Sequence, residues 1–173
     1  MCSLLAAAAS TVLCTAEVLQ VLAGHVTLTS SARGVLLLPL TKSGQRRGES
    51  ESVTIEDDLV ITILRHAFWG RAPAQPLLTT SAHNFRAVWK QAMHMIHMDL
   101  EAFKPYSLRR GGATHHYIHV GRISDTQHRG RWNSYAACRI YVVEGQRELN
   151  ESAFSDATRR ACALYSQPLR QLL

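Results

Sequence analysis

The sequence predicts an α+β fold, a mainly helical single domain with a small three-stranded antiparallel sheet. Three observations predict it. Apolar residues recur at helical spacing through most of the chain. Between His25 and Ile55 they alternate instead with polar residues, or form one short apolar run, and two clusters of turn-forming residues divide that stretch into three. The 173 residues suit one domain, and at 46% hydrophobic and 18% charged the chain is globular rather than a disordered tail. A domain of this size buries roughly 70% of the surface that its unfolded chain exposes.

Leu4 to Leu22 is rich in Ala and Leu and reads as a helix ending near Gly24. Val26 and Leu28 then alternate with threonines, Val35 to Leu38 is a buried-strand run, and Val53 and Ile55 alternate with polar neighbours. Ser31–Gly34 and Ser43–Gly48 are the turns between these strands, the second carrying Lys42, Arg46 and Arg47 at or beside it. Leu59 to Phe68 looks helical, and Ala72 to Pro76 is a proline-bearing loop. A helix begins at Ser81, with Phe85, Val88, Trp89, Ala92 and Ile96 at helical spacing. Lys104-Pro105 breaks the pattern, and Ser107 is placed to cap a helix towards Val120. A short helix capped by Ser124 follows, then a turn at Gly130-Arg131-Trp132. Asn133 is placed to cap a helix carrying Tyr141, and Asn150 to Leu164 reads as one further helix. The expected division is a domain over 1–149 and a C-terminal helical tail over 150–173.

The net charge of +6 and a pI near 9.5 point to a polyanionic partner. The charge is concentrated. Lys104, Arg109, Arg110, Arg122, Arg129, Arg131 and Arg139 fall between Glu101 and Tyr141, against only Glu101 and Asp125, whereas acidic residues gather around Glu49 to Asp58. The four cysteines (Cys2, Cys14, Cys138, Cys162) have no paired-ligand spacing, which argues against a zinc site or disulfide framework and for free thiols in a reducing compartment. The apolar stretch from Met1 to Cys14 lacks a basic flank and is too short to span a bilayer, so a buried helix is the expectation. His115 and His119 share a helix face, but no carboxylate stands at a supporting spacing, so a metal site is not expected.

Two segments carry the chemistry: Pro105-Tyr-Ser-Leu-Arg-Arg-Gly-Gly-Ala-Thr114 and Gly130-Arg-Trp-Asn-Ser-Tyr-Ala-Ala-Cys-Arg-Ile-Tyr141. Together they resemble the second half of the catalytic domain of tyrosine recombinases, the phage-integrase family, in the wording of integrase-like genes carried by mobile elements. That family opens one helix with His-x-x-Arg, follows with a turn holding a His or Trp, and places its nucleophilic tyrosine nine residues later. Tyr106-x-x-Arg109, Trp132 and Tyr141 occupy those positions here. Leu40-Thr-Lys42-Ser-Gly44 looks like the hairpin that bears the family's catalytic lysine. In the family's Leu-Arg-x-Gly-Glu pattern, this chain reads Leu13-Cys14-Thr15-Ala16-Glu17, with Cys14 where the first arginine belongs. The resemblance covers roughly residues 11 to 143 and implies an N-terminally shortened catalytic domain without the helical domain that normally clamps the DNA.

The resemblance implies a tyrosine hydroxyl, Tyr141, that attacks a phosphodiester in line. The products are a 3′-phosphotyrosyl link and a free 5′-hydroxyl, and the stored bond allows rejoining without ATP. Arg109 would hold the non-bridging oxygens with a planar cation near a helix N-terminus. Lys42 would protonate the leaving oxygen. Trp132 would donate its indole N–H and pack the nucleophile's segment. Tyr106 stands where the family has His; with an ordinary pKa near 10 it donates a hydrogen bond but shuttles protons poorly. Arg46, Arg47, Arg110, Arg129 and Arg131 are candidate DNA contacts. The resemblance implies duplex DNA as partner, a possible homo-oligomer on it (a tetramer in the family), no membrane, no metal or nucleotide cofactor, and residence with the DNA in a nucleus or nucleoid. Taken singly, Tyr141 and Trp132 have an ordinary reading as core aromatics and Lys42 as a turn lysine; it is their joint register that favours the family reading. Two alternatives stay open: a degenerate DNA-binding remnant of a mobile element, and a type IB topoisomerase-like enzyme.

Overall fold

The computed structural model describes residues 12–39, 41, 44, 48–98 and 102–170. Its helices surround one sheet of three antiparallel strands in the order β1 (Val26–Leu28), β2 (Gly34–Leu38), β3 (Glu51–Ile55). The central strand registers Val26 opposite Leu36 on one side and Leu36 opposite Val53 on the other. Leu36, Leu38, Val53 and Ile55 therefore face one side and are buried, while Ser52 and Leu37 face out. That alternation is the strand period of two expressed as burial.

The short helix α1 (Thr15–Gln20) precedes the sheet, and α2 (Asp58–Phe68) follows it. Asp57 caps α2 by accepting from the Val60 amide at 2.9 Å. Val60, Ile61 and Leu64 on its inner face join Leu36, Leu38, Val53 and Ile55 in one core, which Leu13, Val18 and Val21 close from the α1 side. Ser81 caps α3 (Ala82–Met95) through the Asn84 amide, and α3 buries Phe85, Trp89 and Met93. The Trp89 indole donates to the Phe103 carbonyl at 2.8 Å, which ties α3 to the segment leading into α4 (Ser107–Val120).

On α4, Leu108 packs against the sheet core, so the next residue, Arg109, is delivered to the core's edge. Buried Gly112, Ala113 and Thr114 give α4 a slim face. It ends at Gly121, whose φ of 74° is a left-handed cap that glycine adopts without steric penalty. The helix α5 (Ile123–Gly130) folds back on α4 and is pinned by a His116 Nδ1 to Thr126 Oγ1 hydrogen bond of 3.0 Å. Then come α6 (Tyr135–Arg139), α7 (Glu144–Ala153) and α8 (Asp156–Arg170). The Thr158 hydroxyl donates to the His97 carbonyl at 2.8 Å and so returns α8 to the end of α3.

Several local expectations change. Tyr106, not Ser107, occupies the N-cap of α4, and no side chain caps it. Ser124 lies inside α5, where Arg122 is the N-cap. Ser134 rather than Asn133 caps α6, accepting from the Ala137 amide at 3.2 Å. That helix stops at Arg139, so Tyr141 sits on a connector beyond it. The tail is two helices, because the chain breaks at Phe154-Ser155 and Ser155 starts a new cap on the Thr158 amide. At α4 and α5 no side chain makes the cap hydrogen bond, and at α6 the cap passes from Asn133 to its neighbour Ser134. The helix expected over Leu4–Leu22 is only Thr15–Gln20 among the described residues, because the backbone is extended at Cys14 before it and at Val21 after it; residues 4–11 lie outside the described residues.

Candidate active site

Four segments distant in sequence meet at the guanidinium of Arg109. Its Nη1 donates to the Val12 carbonyl at 2.8 Å and to Glu17 Oε2 at 3.2 Å, and its Nη2 donates to the Gly130 carbonyl at 2.9 Å. Glu17 lies in the first turn of α1, where its Oε2 also accepts from the Cys14 amide at 2.7 Å. Arg131 binds both oxygens of the same carboxylate through Nη2 at 2.9 Å, and its Nε stands 3.2 Å from Glu51 Oε2. The side chains of Arg109, Arg131, Glu17 and Glu51 are 11%, 7%, 14% and 6% exposed. Two cations and two anions thus cancel within one nearly dry cluster. This balance matters because an unpaired charge at such depth is strongly destabilising.

Arg131 is the left-handed cap of α5, at φ 58°. A side chain there costs on the order of 1–2 kcal/mol. The two carboxylates that hold its guanidinium offset that strain. One residue earlier, a Cβ at Gly130 would run into the Trp132 ring. Glycine therefore lets Trp132 fold back over the end of its own helix.

Folded back, Trp132 meets Tyr141. Their ring centroids are 4.5 Å apart, and Tyr106 lies 5.7 Å from Tyr141 on another side. The Arg109 guanidinium carbon stands 5.1 Å from the Trp132 ring centre and 5.6 Å from that of Tyr141, in cation–π range of both. Burial first, and then a hydrogen bond with Tyr141, push the Tyr106 hydroxyl up to about 12. Near neutrality it is a fixed neutral donor and no proton acceptor. Burial and the neighbouring Glu17 carboxylate also raise the Cys14 thiol, which stays protonated beside Glu17 and Arg109.

The residues that the resemblance singled out fare differently. Tyr106, Arg109, Trp132 and Tyr141 come together, and Cys14, at the position of the family's first arginine, borders them. Lys42, Arg46 and Arg47 lie outside the described residues. Arg110 is exposed next to the cluster, with Nη2 3.4 Å from the Ile140 carbonyl. Arg129 is half-buried, and that burial lowers its pKa against the pull of Glu56 and Asp57. Arg131 is engaged by Glu17 and Glu51. The roles of Glu17 and Glu51 as its counter-charges had no signal in the sequence beyond the position of Glu17 after Cys14, because Glu51 comes from the start of β3, distant in the chain from both Glu17 and Arg131.

Beside the cluster opens a cavity of about 700 Å³, lined by Ser52 and Glu51 of β3, Gln127 and His128 of α5, and Arg131 and Trp132. The Trp132 Nε1 is buried and has no hydrogen-bond partner among the described residues. On Arg109, Nε–H and one Nη2–H have no acceptor among the described residues. Two N–H groups of Arg109 and the indole N–H of Trp132 are thus uncommitted among the described residues. His115 and His119 stack at 4.0 Å, but among the described residues no group of three His, Cys, Asp or Glu is placed to hold a metal.

Comparison with protein-family models, with curated proteins and with solved structures finds no match. No helix among the described residues is long and apolar enough to cross a membrane.

Proposed function

We propose that this chain is a tyrosine-recombinase-type domain that cuts and rejoins duplex DNA with Tyr141 as nucleophile. One observation carries the reading. Tyr106, Arg109, Trp132 and Tyr141, selected by the resemblance, come together: the Arg109 guanidinium is in cation–π range of the Trp132 and Tyr141 rings, and the Tyr106 ring stands 5.7 Å from that of Tyr141. In this reading the free donors of Arg109 and the indole N–H of Trp132 take the phosphate oxygens. Tyr141 Oη bonds to phosphorus and gives up its own proton to solvent, while the bond from phosphorus to the 5′-oxygen breaks and that oxygen leaves with a proton from Lys42. Arg46, Arg47, Arg110 and Arg129 supply contacts to the flanking backbone. The partner is duplex DNA, with a homo-oligomer assembling on it, and the protein resides with the DNA.

A second reading, DNA binding without turnover, is favoured by the charge balance of the site. Both protons of Arg109 Nη1 are committed to Glu17 and the Val12 carbonyl, and Cys14 contributes no charge where a second arginine would. Losing one charged stabiliser of a transition state costs about 3 kcal/mol or more. A suicide duplex with a nicked or phosphorothiolated site separates the two. The first reading expects a covalent adduct that disappears in Tyr141→Phe and increases in Cys14→Arg. Absence of any adduct, Cys14→Arg included, sinks it. The second reading then expects affinity that falls steeply with salt and a slope that flattens when Arg110 is neutralised. A flat salt dependence in the parent chain removes that reading too.

A further inference from the structure

The backbone on either side of Val142 in the connector that bears Tyr141 is clipped to α4 by a side chain that the resemblance did not single out, Thr114. Residues 140–143 lie between α6 and α7. Within the connector, the Tyr141 amide donates to the Cys138 carbonyl at 2.9 Å. The Tyr141 carbonyl and the Val143 amide turn instead to α4, and both meet the hydroxyl of Thr114. That hydroxyl donates to the Tyr141 carbonyl at 3.2 Å and accepts from the Val143 amide at 3.1 Å. A hydroxyl has one proton and two lone pairs, so a single group can serve both. Thr114 is 1% exposed, so no water can replace it cheaply. A helical threonine ordinarily returns its hydroxyl to its own preceding turn. Here it crosses to another segment.

We propose that Thr114 is the positioning residue of the nucleophile, a latch that sets where Tyr141 stands against Arg109. The proposal rests on the reading of Tyr141 as nucleophile. Its physical content is that one rigid helix, α4, carries both the phosphate-binding guanidinium and the clip on the nucleophile's backbone. Their separation is therefore set by helix geometry rather than by a loop. Reaction rates respond steeply to such separations, and a displacement of about 1 Å can cost roughly 100-fold. Valine matches threonine in shape but can neither donate to Tyr141 nor accept from Val143.

The test compares the full chain with Thr114→Val and Thr114→Ser in three measurements: adduct yield on the suicide duplex, duplex affinity, and near-ultraviolet circular dichroism from the Trp132–Tyr141 contact. The expected result is that Thr114→Val lowers the adduct rate by about 10- to 100-fold and loses the aromatic signature, while affinity for duplex holds. Thr114→Ser, which keeps the hydroxyl, restores both. An unchanged rate and signature in Thr114→Val overturn the proposal. So does equal impairment of the serine and valine variants, which would make Thr114 a matter of packing alone. If the parent chain forms no adduct, the recombinase reading fails by itself. The latch is then decided by the aromatic signature and by hydrogen exchange of the Val143 amide, which must lose protection in Thr114→Val and keep it in Thr114→Ser.

Discussion

Replacing Glu17 with glutamine tests the centre of the site most directly. Its carboxylate faces Arg109 at 3.2 Å and Arg131 at 2.9 Å, with all three side chains less than 15% exposed. Removing one partner of a buried ion pair costs about 3–5 kcal/mol. Two features reduce that figure. Glutamine retains a carbonyl acceptor of nearly the same shape, and Arg131 keeps Glu51 at 3.2 Å. The expected loss is therefore about 2–4 kcal/mol, equivalent to a fall in Tm of roughly 6–12 °C near its midpoint for a domain of this length. Urea unfolding followed by far-ultraviolet circular dichroism measures it. Moderate salt should leave the difference in place, since ions screen buried pairs poorly. Arg131→Met combined with Glu17→Gln should cost clearly less than the two changes summed, as expected of residues in direct contact. A loss below about 0.5 kcal/mol, the range of an exposed surface pair, would refute the view that this cluster is dry and mutually dependent.

Other predictions concern the neighbours. Gly130→Ala should displace Trp132 and cost about 1–3 kcal/mol by overpacking, with loss of the near-ultraviolet signature; an unchanged spectrum would show that the ring does not cover that position. Absorbance titration at alkaline pH should find one of the five tyrosines titrating near 12, absent in Tyr106→Phe and shifted down in Tyr141→Phe, which removes the hydrogen-bond partner. Because the folded form holds that proton more tightly than the unfolded chain does, Tyr106 should contribute stability that declines as pH rises from 10 towards 12. Burial and then Arg129 lower the pKa of His116. The unfolded chain therefore binds more protons just below pH 6.5, and stability should fall as pH drops through that region. His116→Gln should flatten the fall in a comparison of urea midpoints at pH 7.5 and 5.5, and an identical pH dependence would remove His116 as its source.

The strands and most helices were legible because each obeys one local period. The apolar run Val35–Leu38 and the alternation through Val53 and Ile55 do form strands β2 and β3, and α2, α3 and α4 begin within a residue or two of their expected starts. Caps were less legible. Ser107, Ser124 and Asn133 all have the right chemistry, but a cap forms only where the preceding backbone is extended and an amide faces the side chain. At α6 that geometry fell to Ser134. The single tail helix was misread because its apolar spacing continues across Phe154-Ser155, whereas the backbone break there answers to the docking of Thr158 on His97 and of Phe154 against Phe103.

The sequence by itself supplied, through the resemblance, the candidates Tyr106, Arg109, Trp132 and Tyr141, and through its local periods the strands and most helices. The spacings from Tyr106 to Arg109 and from Trp132 to Tyr141 are local, and helix and turn geometry convert local spacing into orientation. Tertiary structure alone decided the electrostatics. Arg131 reads as an exposed phosphate contact until Glu17 and Glu51, from two other elements and as far as 114 residues away, close on it. Thr114 reads as a helix residue until the Tyr141 connector arrives beside it. No period in the chain encodes these meetings, because they depend on burial, where charges must find partners and hydroxyls must find acceptors.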